Sequence, residues 1–265
     1  MPITACTTAL AARLRAAGCV FAEDEVALIV AAARDDEHLE RLVARRVEGL
    51  PLEHVVGWAE FDGRRVEVDP GVFVPRPRTE FLVDRAAAVT SRGAVVLDVC
   101  CGSGAVGAAL LARLDALELY ATDIDPAAVR CARRNLEPAG GVVLEGDLYA
   151  ALPARLRGRV GTIVANAPYV PTDELELMPR GARLHEPRVS LDGGHDGLDL
   201  QRRVALGARD WLAPGGHLLI ETSRAQSPAT VELCANAGLV ARVTRDDEFE
   251  ATVVVATPVR GPGGL

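Results

Sequence analysis

Hydrophobic residues in the first fifty positions recur every three or four places, which is the spacing of an amphipathic helix. They form three groups, which begin at Leu10, Val26 and Leu39 and are followed by Gly49-Leu50-Pro51, a sequence that ends helices. The pattern predicts a small helical domain over residues 1–53.

The pattern then changes to β-forming residues. An Asp62-Gly63 turn signal lies between Phe61 and Val66, which predicts a β-hairpin. Pro75-Arg76-Pro77 stiffens the segment that follows. We therefore assign residues 54–78 to a hairpin linker between two domains.

From residue 93 onwards, short apolar runs typical of strands alternate with stretches of helical spacing. This alternation predicts a mostly parallel, doubly wound α/β sheet in a domain that spans residues 79–265. Ligand sites in such sheets lie beyond the carboxyl ends of the strands. The predicted strands are 94–99, 117–121, 141–144, 161–165, 217–221 and 252–256, and the clearest helices are 105–114, 127–136, 198–211 and 226–237.

Composition narrows the class of protein. Hydrophobic residues make up 49 % of the chain and charged residues 25 %, as in ordinary soluble proteins. No apolar run approaches the roughly 20 residues that a membrane helix needs. Residues 1–10 contain no basic segment followed by an apolar one, so we expect no secretion signal and a cytoplasmic protein.

Charge and cysteine content exclude two further classes. A net charge of −8, with arginines scattered among acids, makes nucleic acid an unlikely partner, since proteins that neutralise phosphates are usually basic. The six cysteines form no Cys-x-x-Cys pair and have no histidine at zinc-ligand spacing, so we expect no metal site. We expect a monomer whose macromolecular partner is a protein.

The first strand of the predicted sheet leads into a glycine-rich loop, Asp98-Val-Cys-Cys-Gly-Ser-Gly104, that opens a helix. Glycines there let the backbone approach a ligand at the helix N-terminus. Because Gly102–Gly107 also fits the Gly-x-Gly-x-x-Gly pattern, the loop alone suits either an adenosylmethionine enzyme or a dinucleotide-dependent oxidoreductase.

Acidic residues around this loop favour the first of these cofactors. Asp123 ends the second strand, where a carboxylate can accept hydrogen bonds from both hydroxyls of a ribose. Asp147 follows the third strand, at the height of an adenine amino group, and Asp98 can meet an ammonium. An acid-rich pocket suits a cationic sulfonium better than an anionic pyrophosphate. The sequence therefore predicts S-adenosyl-L-methionine as the cofactor.

The fourth strand ends at Asn166-Ala167-Pro168-Tyr169, which could be a simple turn. A functional interpretation explains more of it. The side-chain oxygen of Asn166 and the carbonyl of Ala167 can accept both hydrogens of an NH2 group and so hold its nitrogen in line with a methyl donor. Pro168 stiffens the loop, and Tyr169 offers a flat face. The loop predicts methylation of a planar nitrogen, in a glutamine amide or an adenine alike.

Several blocks, which together span nearly the whole chain, resemble the HemK/PrmC family of protein glutamine-N(5) methyltransferases. The resemblance implies a class I adenosylmethionine-dependent methyltransferase domain and an N-terminal helical domain that docks a protein substrate, such as a release factor, with an exposed glutamine. The blocks are residues 51–57, Arg76-Pro77-Arg78-Thr79-Glu80, residues 96–104, Gly146-Asp147-Leu148, the Asn166 loop, His185-Glu186-Pro187 and residues 193–198.

The resemblance also assigns residues to roles. The catalytic set is Asn166, Ala167, Pro168 and Tyr169. The cofactor set is Asp98, Cys100, Cys101, Gly102, Ser103, Gly104, Asp123, Ile124, Asp147, Leu148 and Asn166. We expect Glu221 to have a structural or supporting role, and His185 and His195 to be hydrogen-bonded loop histidines rather than catalysts.

The chain departs from the family pattern at four positions. Ala167 replaces the first proline of Asn-Pro-Pro-Tyr, Cys100 replaces a glycine, Arg78 stands where an acid is usual, and Glu250 lies where an arginine is expected. We therefore expect a diverged relative whose substrate need not be a release factor. The alternative is an adenine-N(6) methyltransferase acting on RNA or DNA.

Overall fold

The computed structural model describes residues 6–178 and 180–259, without the side chains of Arg180 and Ala182. Residues 1–5 and 260–265, which the two predicted domains include, lie outside the described part. Half of the segment on which the expectation of no secretion signal rests therefore also lies outside it.

The N-terminal region forms the predicted helical domain. Leu14, Ile29 and Leu39 are fully buried at its centre. The Asp35 side chain accepts a hydrogen bond from the backbone N–H of His38 at 2.7 Å and so caps the third helix. The helices are α1 (Thr7–Ala16), α2 (Ala22–Ala32), α3 (Asp36–Val47) and α4 (Leu52–Val56).

Helix α4 corrects the sequence interpretation, which placed residues from 54 onwards in the hairpin region. Pro51 is the N-cap residue of this helix, and Gly57 adopts a left-handed φ of 87° at its C-cap. These two residues determine where the short helix begins and ends. The imidazole of the buried His54 lies 2.8 Å from the carbonyl oxygen of Val72 and ties α4 to the following segment.

The predicted hairpin is present as β1 (Trp58–Phe61) and β2 (Arg64–Glu67), joined by an Asp62-Gly63 turn in which both residues have positive φ. Phe61 and Val66 are buried in the core of the α/β domain, beside α5 (Glu80–Val89). The hairpin therefore packs against the domain that follows it. Helix α5 itself was not predicted, because Phe81, Leu82 and Val83 are consecutive and buried and leave no polar face to mark the helical period.

The α/β domain contains a seven-stranded sheet in the order β5-β4-β3-β6-β7-β9-β8. The first five of these strands are parallel, and β9 pairs antiparallel with both β7 and β8. This confirms the predicted doubly wound α/β class. The strands are β3 (Val95–Val99), β4 (Glu118–Asp123), β5 (Val142–Glu145), β6 (Val160–Ala165), β7 (Leu212–Glu221), β8 (Leu239–Asp246) and β9 (Ala251–Pro258).

Strand β8 is missing from the sequence prediction. It is an edge strand whose central residues Arg242, Thr244 and Arg245 are polar and partly exposed. The sequence therefore has no continuous apolar run there from which a strand could be predicted.

Alternate strand residues face opposite layers of helices. Val96 packs toward α5, α6 and α7, whereas Leu97 packs toward α9 and α10. The carboxyl ends of β3, β4, β5 and β6 consequently meet at one edge of the sheet. The remaining helices are α6 (Ala105–Arg113), α7 (Pro126–Leu136), α8 (Arg180–His185), α9 (Asp199–Trp211) and α10 (Ser227–Asn236).

Two features are absent from the described part of the chain. None of its helices is long and apolar enough to cross a membrane. No group of three or more His, Cys, Asp or Glu side chains there is placed to hold a metal ion.

We expect Phe61→Ala to lower the free energy of unfolding by about 3–5 kcal/mol, because it empties a fully buried site between the hairpin and α5. Phe249→Ala, at a position that is 43 % exposed, is the matched control and should change it by less than about 1 kcal/mol. Urea unfolding of both variants measures the difference; equal effects would show that the hairpin does not belong to the core.

Candidate active site

One large cavity, of about 1150 Å³, opens at the carboxyl edge of the sheet and extends to the helical domain. The loops after β3, β4, β5 and β6 line its inner part, and Leu52 and Glu53 of α4 line its outer part. The structure brings the predicted catalytic and cofactor residues together here, with one exception. Gly104 lies behind the wall, where a side chain would collide with Leu136 of α7.

The glycine-rich loop is held in a strained backbone conformation. Cys100, Gly102 and Gly104 have φ values of 58°, 55° and 79°, in the left-handed region that glycine enters freely and other residues rarely adopt. The N–H of Gly102 donates to Asp123 Oδ2 at 2.8 Å, which straps the loop to the end of β4. The geometry explains why glycine is the family residue at position 100.

Two carboxyl groups face this loop, the buried Asp98 and the partly buried Asp123. Burial raises the pKa of Asp98 to about 7, against a hydrogen bond from the N–H of Gly107 that lowers it. Burial also raises the pKa of Asp123, although the N–H groups of Asp125 and Gly102 partly oppose it. A cationic ligand group would offset the free energy cost of holding both carboxylates ionised away from water. A phosphate would instead be repelled by them.

The other residues of the cofactor set differ in exposure: Ile124 is 55 % exposed, whereas Leu148 is buried. Asp147 forms an ion pair with Arg203 at 2.6 Å, a partner the sequence did not suggest. Ile124 and Leu148 contribute apolar surface to the cavity on either side of the loop end, where a flat adenine could pack. Thr122 Oγ1 is buried without a hydrogen-bond partner among the described residues, on the same wall. The residues present therefore fit S-adenosyl-L-methionine.

The Asn166 loop is fixed by its own hydrogen bonds and by the segment after α8. Gln226 Nε2 donates to the carbonyl of Tyr169 at 2.9 Å. The backbone of Val170 pairs with Leu191 and Gly193. A side chain at Gly193 would lie 2.8 Å from the Pro168 carbonyl, so the glycine block at 193–198 permits the loop to pack this closely.

Within the loop, Asn166 Nδ2 donates to the Thr79 hydroxyl at 3.3 Å. The amide is thereby oriented by its nitrogen, and among the described residues no donor occupies its oxygen, Oδ1. Ala167 is 1 % exposed yet borders the cavity. The site thus has two candidate acceptors at the cavity, Asn166 Oδ1 and the Ala167 carbonyl.

Three residues, Arg78, Thr79 and Glu221, support the loop through side-chain contacts; the sequence suggested such a role for Glu221 but not for Arg78 or Thr79. Thr79, which is 2 % exposed, lies between Asn166 and Glu221. Burial raises the pKa of Glu221, while the Thr79 hydroxyl and the Arg78 guanidinium lower it. Arg78 Nη2 donates to the Tyr169 hydroxyl at 2.8 Å, and Arg78 Nε lies 3.5 Å from Glu221 Oε1. The sequence feature that could have indicated the roles of Arg78 and Thr79 was the Arg-Pro-x-Thr-Glu block, which contains both residues.

The remaining expectations concern Glu221 and two histidines. Glu221 does not line the cavity, and neither do His185 and His195. The roles expected for these three residues stay predictions. Glu186, next to His185, does line it, where it pairs with Arg76.

Fold and site together define a class I adenosylmethionine-dependent methyltransferase. The family model named Methyltransferase small domain matches residues 64–179. Among solved structures, a methyltransferase from Pyrococcus furiosus has a TM-score of 0.55 at 18 % identity, over 73 % of this chain and 88 % of that chain, and so shares the fold.

Proteins with similar sequences identify the family more narrowly than the shared fold does. The release factor glutamine methyltransferase of Geobacter sulfurreducens is 36 % identical over 78 % of this chain and 72 % of its own. The 4-amino-L-phenylalanine/4-methylamino-L-phenylalanine methyltransferase of Streptomyces pristinaespiralis is 37 % identical over 68 % of this chain and 63 % of its own. The chain belongs to the family of the release factor glutamine methyltransferases, which confirms the resemblance read from the sequence motifs.

We expect Thr79→Val to lower kcat about tenfold, because the Asn166 amide loses the hydrogen bond that orients it. Affinity for adenosylhomocysteine should be unchanged, since Thr79 does not reach the glycine-rich loop. Thr79→Ser keeps the hydroxyl and should restore kcat. Steady-state kinetics and calorimetry on both variants measure the two effects; a Ser variant as slow as the Val variant would contradict the role.

Affinity for the cofactor should depend on pH through Asp98. Its carboxyl, with a pKa of about 7, is largely protonated at pH 6, and a bound ammonium group favours the ionised form. Binding should therefore strengthen as pH rises, by about tenfold between pH 6 and pH 8. Calorimetry with adenosylhomocysteine checks this, and Asp98→Asn should bind weakly with a flat profile. A wild-type profile as flat as that of the variant would rule out this role for Asp98.

Proposed function

We propose that this protein transfers a methyl group from S-adenosyl-L-methionine to the side-chain amide nitrogen of a glutamine in a protein substrate, with a release factor as the first candidate. The observation that carries the proposal is the pair of acceptors in the Asn166 loop, beside a cavity with room for both cofactor and substrate. Membership in the family supports the choice of glutamine.

An amide nitrogen is a poor nucleophile because its lone pair is delocalised into the carbonyl group. Asn166 Oδ1 and the carbonyl of Ala167 would each accept one N–H of the substrate amide and hold the nitrogen facing the methyl group. Both hydrogen bonds strengthen as the nitrogen gains positive charge. The cofactor supplies the electrophilic methyl on its sulfonium, and the proton that the nitrogen loses leaves to water.

Ala167 in place of proline does not remove this chemistry, because the position acts through its backbone carbonyl. Its burial and the contacts of Pro168 and Tyr169 with the segment at 191–197 keep the loop in place. The planar amide would pack against the ring of Tyr169, whose hydroxyl is held by Arg78.

The helical domain over residues 1–53 would dock the substrate protein. This docking role is supported by the outer part of the cavity, which is lined by Glu25, Arg46 and residues of α4. We also propose that the protein works as a monomer in the cytoplasm, since one chain supplies both parts of the site.

A second candidate is methylation of an aryl amine on an amino acid. It is favoured by the 37 % identity to the 4-amino-L-phenylalanine/4-methylamino-L-phenylalanine methyltransferase, because an aniline nitrogen presents the same two N–H donors to the loop. The adenine-N(6) alternative lacks such support, and the net charge of −8 opposes binding to a polyanion.

Radiolabel transfer from adenosylmethionine into purified release factors, total RNA and 4-amino-L-phenylalanine separates these functions. We expect label in protein, at a glutamine identified by peptide mapping. Asn166→Ala should reduce that transfer at least about a hundredfold with little change in cofactor affinity, since it removes a partner of the transition state. Asn236→Ala, on the exposed end of α10, is the matched control. Label in RNA alone would refute the proposed function.

A further inference from the structure

The guanidinium of Arg78 is the least neutralised cation in the cavity. Five arginines line the described part of it: Arg46, Arg76, Arg78, Arg188 and Arg203. Four of them have a carboxylate oxygen within 3.0 Å, on Glu25, Glu186, Asp192 and Asp147 respectively. The carboxylate nearest to Arg78, on Glu221, lies at 3.5 Å.

The contacts of Arg78 leave one edge of its guanidinium available. Nε faces Glu221, which lies behind the cavity wall, and one N–H of Nη2 is taken by the Tyr169 hydroxyl. Among the described residues, Nη1 has no hydrogen-bond partner, and the side chain is 45 % exposed. Both N–H groups of Nη1 and one of Nη2 therefore remain available, and guanidinium N–H groups are well suited to donate to the oxygens of a carboxylate.

We infer that Arg78 is a specificity residue that binds a carboxylate of the substrate close to the nitrogen that is methylated. The inference rests on the proposed function of the Asn166 loop and deepens it by naming a second feature of the substrate. The carboxylate belongs either to an aspartate or glutamate beside the target glutamine or to the α-carboxylate of a free amino acid.

The position of Arg78 limits how far this carboxylate can be from the target. The guanidinium touches Tyr169, a residue of the loop that would hold the target nitrogen. One residue of extended chain spans about 3.5 Å, so the acidic residue lies within about two positions of the glutamine.

A phosphate fits this place less well than a carboxylate. Asp98 and Asp123 line the same cavity, and the chain carries a net charge of −8, so a nucleic acid would meet repulsion around Arg78. A single carboxylate carries one charge and matches the planar donor edge.

Peptides of one length and sequence, with glutamate, alanine or lysine next to the glutamine, test the inference through kcat/KM. We expect the wild-type enzyme to prefer the glutamate peptide over the lysine peptide by about tenfold or more. Arg78→Met should abolish the preference and Arg78→Asp should reverse it. Arg130→Asp reverses the charge of an exposed arginine on α7 and should keep the wild-type preference. Urea unfolding and adenosylhomocysteine binding verify that each variant is folded.

A second arm compares 4-amino-L-phenylalanine with its carboxamide. Methylation of the free acid alone, lost with Arg78→Met, would support a carboxylate site while refuting the protein glutamine. Methylation of all three peptides at equal rates, unchanged by Arg78→Met, would overturn the inference and leave the proposed function intact. Transfer into RNA and into no peptide or amino acid would overturn both.

Discussion

The hydrogen bond from Asn166 Nδ2 to the Thr79 hydroxyl is the contact on which the site depends. It joins residues 87 positions apart, the end of β6 and the start of α5. An asparagine amide can present either its oxygen or its nitrogen to a ligand, and only the oxygen can accept from a substrate NH2 group. By engaging the nitrogen, Thr79 leaves the oxygen for the substrate. The buried carboxyl of Glu221, beside Thr79, supports the hydroxyl from behind.

Charge divides the cavity into two parts with different tasks. Buried acids at the ends of β3 and β4 make the inner part suitable for a cation, which is what a sulfonium cofactor with an ammonium group presents. Near the Asn166 loop, Arg76 and Arg188 each have a carboxylate oxygen within 3.0 Å, whereas the nearest one to Arg78, on Glu221, lies at 3.5 Å. In this account, the inner part selects the methyl donor. The part near the Asn166 loop selects the substrate whose nitrogen is methylated. The comparisons define the reaction more firmly than the substrate, since the relatives of this chain include enzymes named for a release factor glutamine and for an amino acid amine.

Local sequence signals were sufficient for the strands of the parallel sheet and for the two loops, because each loop is a continuous block next to a strand. They failed where the cause was not local. Strand β8 has polar residues at its centre, and its place at the sheet edge is set by its pairing with β9 and by packing of Leu239 in the core. The positions of Arg78, Thr79 and Glu221 behind the loop depend on contacts across 87 to 143 positions of sequence, which no spacing within one segment can reveal. The departure at Arg78 was visible in the sequence, but its contact with Tyr169 was not.

A double-mutant cycle on kcat tests the central claim that Thr79 acts through Asn166. Thr79→Val, Asn166→Ala and the double variant are compared with the wild-type enzyme on the same glutamine substrate, with single-turnover kinetics for the slow variants. If Thr79 only orients the Asn166 amide, Thr79→Val slows the wild type but has no further effect once Asn166 is alanine. Multiplicative losses in the double variant would show that the two residues act independently and would contradict the account.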